Sequence, residues 1–146
     1  MKNDKLLATA LLGALSTIPA EIISRFLLYL GIGKYCVYQL ASLFITLNRP
    51  IFFLGLIMDM MVGGCIAILL YFAFEKLSSE YIVVKVAIGS LLAWLACELA
   101  FTFTIEGRFI DIRPINDYYN NLISAAIFGL TLGLLFRRLL FKKSIS

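Results

Sequence analysis

The sequence predicts an all-α, membrane-embedded four-helix bundle, with an additional short helix between the first and second spans. Three observations predict it. The 146 residues are 62% apolar and only 15% charged, with a mean hydropathy of +0.96, whereas soluble domains run nearer half apolar and a quarter charged. Four long apolar runs, 6–30, 51–74, 81–105 and 118–141, are each long enough to cross a hydrocarbon core of about 30 Å as a helix. A fifth apolar segment, 35–47, is too short to do so. With no repeat and no soluble stretch, residues 1–146 read as a single transmembrane domain.

The first run follows Lys2 and Lys5, and Ala20 mimics a signal-peptide cleavage site. Ile18, two residues earlier, is too large for such a site and apolar sequence continues to Leu30, so a retained helix is expected. Pro19 lies within it and predicts an ordinary kink. Segment 35–47, YCVYQLASLFITL, is too apolar for a free loop and reads as an interfacial or re-entrant helix. Gly31 and Gly33 loosen the chain ahead of it, and Arg49-Pro50 ends it, since proline suits the first turn of the next helix. The loop EGRFIDIRPIND (106–117) alternates acids and arginines. It is either a solvated turn closed by weak local ion pairs or a lid, with Arg49, Arg108 and Arg113 on the correct side to reach down. Asn120 and Asn121 begin the last span, with Tyr118 and Tyr119 as interface anchors.

Orientation follows from the basic residues. With the N-terminus inside, Lys2, Lys5, Lys76, Lys85, Arg137, Arg138, Lys142 and Lys143 are cytoplasmic, and only Lys34, Arg49, Arg108 and Arg113 lie opposite. Eight against four predicts a multi-pass protein with both termini cytoplasmic. Lys85, Arg137 and Arg138 sit near cytoplasmic ends of runs, where their long stems snorkel.

Four charges remain inside the spans: Glu21, Arg25, Asp59 and Glu98. Each is expensive at mid-membrane, by about 2.5–3.5 kcal/mol on insertion scales, and calls for a partner or a purpose. The three acids fall at nearly one depth in the outer half of the bilayer, at about 1.5 Å per residue. Polar and small residues recur every fourth position: Thr9, Gly13, Thr17, Glu21, Arg25 and Tyr29; Gly55, Asp59, Gly63 and Ala67; Ser90, Trp94, Glu98 and Thr102; Asn121, Ala125, Gly129 and Gly133. Such stripes share a helix face and let helices approach closely, so all four are expected to face the interior. Gly129 and Gly133 form a GxxxG that serves internal packing or a homodimer. Glu21 and Arg25 are ordered for an i, i+4 ion pair. The net charge of +4 separates into +6 flanking the membrane and −2 within it. One arginine against three acids implies a protonated acid, a cation, or a loop arginine completing the set. Glu98, beside Trp94 and far from Arg25, is the acid expected to hold a proton.

The absence of histidine removes His-ligated haem, His-bearing metal sites and Ser-His or Cys-His nucleophile pairs. Cys36, Cys65 and Cys97 are odd in number and form no C-x-x-C, and the two inside apolar runs, Cys65 and Cys97, read as small, buried, inert side chains. No cofactor, metal or nucleic-acid partner is expected; the partners are the lipid bilayer and either further copies or a larger membrane complex.

The order of features, with IPAEII in the first helix, the connection LGIGKYCVYQLAS, and an aspartate-bearing second helix followed by Gly63-Gly64, resembles a group of small four-helix integral membrane proteins of Gram-positive, spore-forming bacteria. The resemblance spans nearly the full chain and implies location and topology but no mechanism, since that group has no established activity. Small multidrug exporters share a first-helix glutamate but are shorter and lack acids in later spans. Fluoride channels are of similar size, yet an anion path conflicts with three acids. The function expected is therefore a structural or accessory membrane component, or alternatively a small cation- or proton-linked transporter or channel built on the acidic layer. No nucleophile–base pair marks an enzyme, although carboxylate-only chemistry stays open.

Overall fold

The structure, a computed structural model, describes residues 2–78 and 80–141. Five α-helices follow in order: α1 (Lys2–Tyr29), α2 (Val37–Thr46), α3 (Phe52–Glu75), α4 (Ile82–Thr104) and α5 (Ile115–Leu135), the last continued by a π turn over Phe136–Leu140. Four of them are long and apolar enough to cross a membrane, and α2 is the short apolar helix between the first two. Among the described residues there is no strand, only an isolated bridge between Glu106 and Ile110. α5 starts three residues before the expected 118 because Pro114, extended at φ −64° and ψ 152°, stands as its N-cap and cannot itself continue a helix backward.

The long helices pack in the sequence α3–α1–α5–α4, and α3 and α4 meet over only a short stretch. Small residues set the close crossings. Gly13 lies against the Gly63 carbonyl and the Ala67 side chain, and a Cβ on Gly63 would sit 2.7 Å from Thr17. On the other side, side chains at Gly129 and Gly133 would come within 2.9 Å of the Ala87 and Val83 backbones. The GxxxG of α5 is therefore packed against α4 of the same chain, the internal-packing reading of that motif; its spacing identifies a packing surface but not the partner.

The bundle has two unlike ends. At the end carrying the chain termini, Leu70, Tyr71, Ile82, Val86, Phe128, Leu132 and Phe136 form an apolar core. The π turn places both Phe136 and Phe141 against Tyr71, at ring-centroid distances of 6.4 and 5.9 Å. At the opposite, loop-bearing end, α2 fills the gap that α3 and α4 leave, with Leu40 and Leu43 packed on Phe101 and Ile105. The Tyr38 amide donates to Glu21, 3.0 Å away, eight residues and thus about 12 Å below the end of α1. The chain leaves α1, dips back, climbs out as α2 and descends again as α3. Ser42 secures the return by accepting the Ile51 amide at 2.9 Å.

Three of the four interior stripes keep largely inward, but that of α1 does not hold to its end. Thr9, Thr17 and Glu21 are 0%, 2% and 4% exposed, while Tyr29 is 87% exposed and Arg25 is exposed as well. Four residues advance a helix by about 400°, so an i, i+4 row drifts some 40° per step. By Arg25 it has left the interior, and the fully buried Ser24 has replaced it. Thr102 of α4 is likewise exposed.

Candidate functional site

Polar side chains at the loop-bearing end form three junctions around a cavity. The first holds α2. Glu21 accepts from the Arg25 guanidinium at 2.8 Å and from the Tyr38 amide at 3.0 Å, so a carboxylate caps the first turn of α2 where unpaired amides point outward. The Tyr38 hydroxyl shares a hydrogen bond with Thr17 at 3.2 Å. Arg25, its side chain 53% exposed, lies 4.5 Å from the Phe52 ring centre. Cys36, the residue before α2, is buried, and burial pushes its thiol up to about 11. Cys65 and Cys97, expected to be buried in their apolar runs, are instead exposed on the bundle.

The second junction holds the α4–α5 loop. Arg113 is 4% exposed and its guanidinium pairs with Glu98, and with Glu106 at 3.1 Å. The Arg113 amide donates to Glu106 at 2.7 Å, as does the Tyr118 hydroxyl at 2.8 Å. The guanidinium lies 4.5 and 4.7 Å from the ring centres of Phe101 and Tyr118. Burial alone would raise the Glu106 pKa, but the Arg113 amide, the Arg113 guanidinium and the Tyr118 hydroxyl together outweigh it and hold the carboxyl below its usual range. Most of the loop is exposed, with Glu106, Arg113 and Asp117 buried, so it is a turn closed by a local ion pair from which one arginine also reaches down to Glu98. Of the three arginines considered for a lid, only Arg113 reaches down; Arg49 and Arg108 are exposed and make no ion pair with the layer among the described residues.

The third junction ties α5 to the dip between α1 and α2. Asp117, fully buried, accepts from the amides of Lys34 and Tyr35, and Asn120 donates to the carbonyls of Ser24 and Ile32 at 3.2 and 3.0 Å. Gly33 permits this with φ of 105°, and a Cβ there would come 2.7 Å from the Asp117 carboxylate. Sequence reasoning missed Asp117 and used Asn120 only to mark a helix start. An acid in the first turn of α5, opposite a glycine-loosened connection, was the available signal.

Between α3 and α4, roofed by α2 and floored by the apolar core, lies a cavity of about 440 Å³. Most of its wall is apolar, from residues such as Leu40, Met58, Val62, Ile66, Phe101 and Phe128. Asp59, Glu98, Asn121 and Arg113 also line it, so the structure brings together four of the residues singled out in the sequence. Glu21 and Arg25 stand apart, at the α2 junction. Gly55, Gly63, Gly129 and Gly133 are buried at helix crossings; of these only Gly63 also borders the cavity. Glu98 is not the isolated acid that the sequence suggests, because Arg113 reaches it from the loop; Asp59 is, with no hydrogen bond or ion pair among the described residues. Buried side-chain atoms of Ser90, Trp94, Asn121 and Arg113 around the same space also lack protein partners. Among the described residues no cluster of metal-ligating side chains occurs. No protein-family model, curated protein or solved structure matches the chain.

Proposed function

We propose that this multi-pass protein is a structural or accessory component of a bacterial cytoplasmic membrane, acting within a larger membrane assembly with both termini cytoplasmic. One observation carries the reading: two of the three in-span acids serve the fold, Glu21 by seating α2 and Glu98 by anchoring Arg113. A charge paired in this way is a fastener, and moving a proton or ion through it would unfasten the loops. The apolar core at the end carrying the termini agrees, because it separates the polar groups from that end of the bundle. The eight-to-four distribution of basic residues supports the orientation.

A second reading, proton- or cation-linked transport, rests on Asp59, whose carboxylate has no cation of its own. Two measurements discriminate. In gently solubilised native membranes the accessory reading expects the chain to migrate with a larger assembly. In proteoliposomes of the purified chain it expects no proton or monovalent-cation flux above that of empty vesicles. Flux that Asp59→Asn abolishes, from a chain that migrates alone, overturns the first reading and establishes the second.

A further inference from the structure

The cavity between α3 and α4 has a composition that the fastening role leaves unexplained. We infer that it is a binding site for an amphiphilic organic cation, an amine or quaternary ammonium group on an apolar body, taken up sideways between α3 and α4.

The size is that of a small-molecule pocket, about 440 Å³ within the usual range of roughly 300–1,000 Å³. Phe44, Val62, Cys97 and Ala100 line the cavity and are also exposed on the surface of the bundle, so the space opens laterally, toward the apolar surroundings of the helices. Its walls suit an apolar body. Its polar groups are few and several of them are unsatisfied, a composition typical of a site and unusual for a filled core. Ser90 and Asn121 are 2% and 6% exposed, line the cavity, and hold their Oγ and Oδ1 without partners. In a protein interior such atoms otherwise find a hydrogen bond.

Charge selects the occupant. Asp59 and Glu98 line the cavity with the single cation Arg113, which pairs with Glu98, leaving −1 at its wall, and the Asp59 carboxylate is the acid without a counter-charge. The Trp94 ring lines the same space, and an indole face attracts a desolvated cation. A bare inorganic ion would leave the apolar walls empty, and an anion would meet Asp59 uncompensated. An organic cation satisfies both parts. The inference needs only the cavity and holds whether the chain assists a partner or moves an ion.

Trp94 is the one tryptophan in the chain, so its fluorescence reports occupancy directly. The experiment titrates the full-length protein, delipidated in detergent, with benzyltrimethylammonium and, separately, with phenylmethanesulfonate, a probe of similar size and opposite charge. Saturable change of Trp94 emission with the cation, and none with the anion, is expected. Asp59→Asn should weaken cation binding by roughly thirtyfold or more, as for loss of one partner of a desolvated charge pair. Ala125→Leu, which fills the cavity without touching a charge, should weaken it too and keeps the proposal testable if the first variant fails to fold. Mass spectrometry of material that co-purifies before delipidation separates two sources: a stoichiometric amine-bearing lipid indicates a membrane ligand, and lipid-free protein that binds the probe indicates a soluble amine. Equal response to both probes, no saturable response to the cation, or unchanged affinity in folded Asp59→Asn overturns the inference.

Discussion

Arg113→Met tests the α4–α5 junction most severely. The side chain of Arg113 is 1% exposed, and those of its partners Glu106 and Glu98 are 3% and 13% exposed, so solvent screens the pairs little. Methionine keeps the apolar stem but leaves both carboxylates without their cation. Glu106 retains the residue 113 amide and the Tyr118 hydroxyl, which softens its loss, while Glu98 keeps no other hydrogen bond among the described residues. Removing one partner of a buried pair costs about 3–5 kcal/mol, and for a chain of this size each kcal/mol lowers the melting temperature by about 2–4 °C. The expected shift is therefore roughly 10 °C, read from loss of helical circular dichroism on heating in detergent. Arg25→Met, at a half-exposed pair, should cost about 1 kcal/mol or less. Equal shifts for the two variants, or a shift for Arg113→Met inside the scatter of surface substitutions, would refute the argument.

The depressed Glu106 pKa fixes the sign of a pH effect. Its contribution is fully present above the ordinary glutamate value of about 4.3 and is lost as pH falls through the lower folded value; melting temperature should hold near neutrality and drop in acid, and Glu106→Gln should remove part of that drop. Gly133→Val, which would press on the Val83 backbone, should destabilise by about 1–3 kcal/mol while leaving the mass of the detergent-solubilised particle unchanged. Cys36 should resist alkylation at neutral pH until the protein is unfolded, because its thiol is both buried and hard to ionise; mass spectrometry of labelled peptides reads this directly. Asp117→Ala, which leaves the Lys34 and Tyr35 amides without their shared carboxylate, should cost about 1–3 kcal/mol and increase hydrogen exchange at those two positions.

The fold was largely legible because its signals are local. Run length separates four spanning helices from α2, and proline and glycine mark the joints. The polar interior was legible only in part. That Glu21 pairs with Arg25 follows from spacing on one helix, but that it also seats α2 depends on a chain reversal that 30–36 does not announce. Arg113 meets Glu98 because the 105–114 turn folds inward, and a row of alternating charges reads the same whether it folds inward or faces water. The drift of the α1 stripe follows from 3.6 residues per turn, which turns a row of four-residue steps off the interior face within a few steps. Asp59 became the distinctive acid by elimination, once the structure had assigned partners to the others.

The acids of the bundle divide their labour, with Glu98 holding structure and Asp59 left for a ligand. Melting Glu98→Gln and Asp59→Asn side by side, without ligand, tests it most directly. Glu98→Gln loses a charge-assisted hydrogen bond to Arg113 and should be less stable by about 1.5–3 kcal/mol. Asp59→Asn removes an uncompensated charge from an apolar setting and should be as stable as the original chain or more so. A large loss at Asp59 together with none at Glu98 would contradict the account.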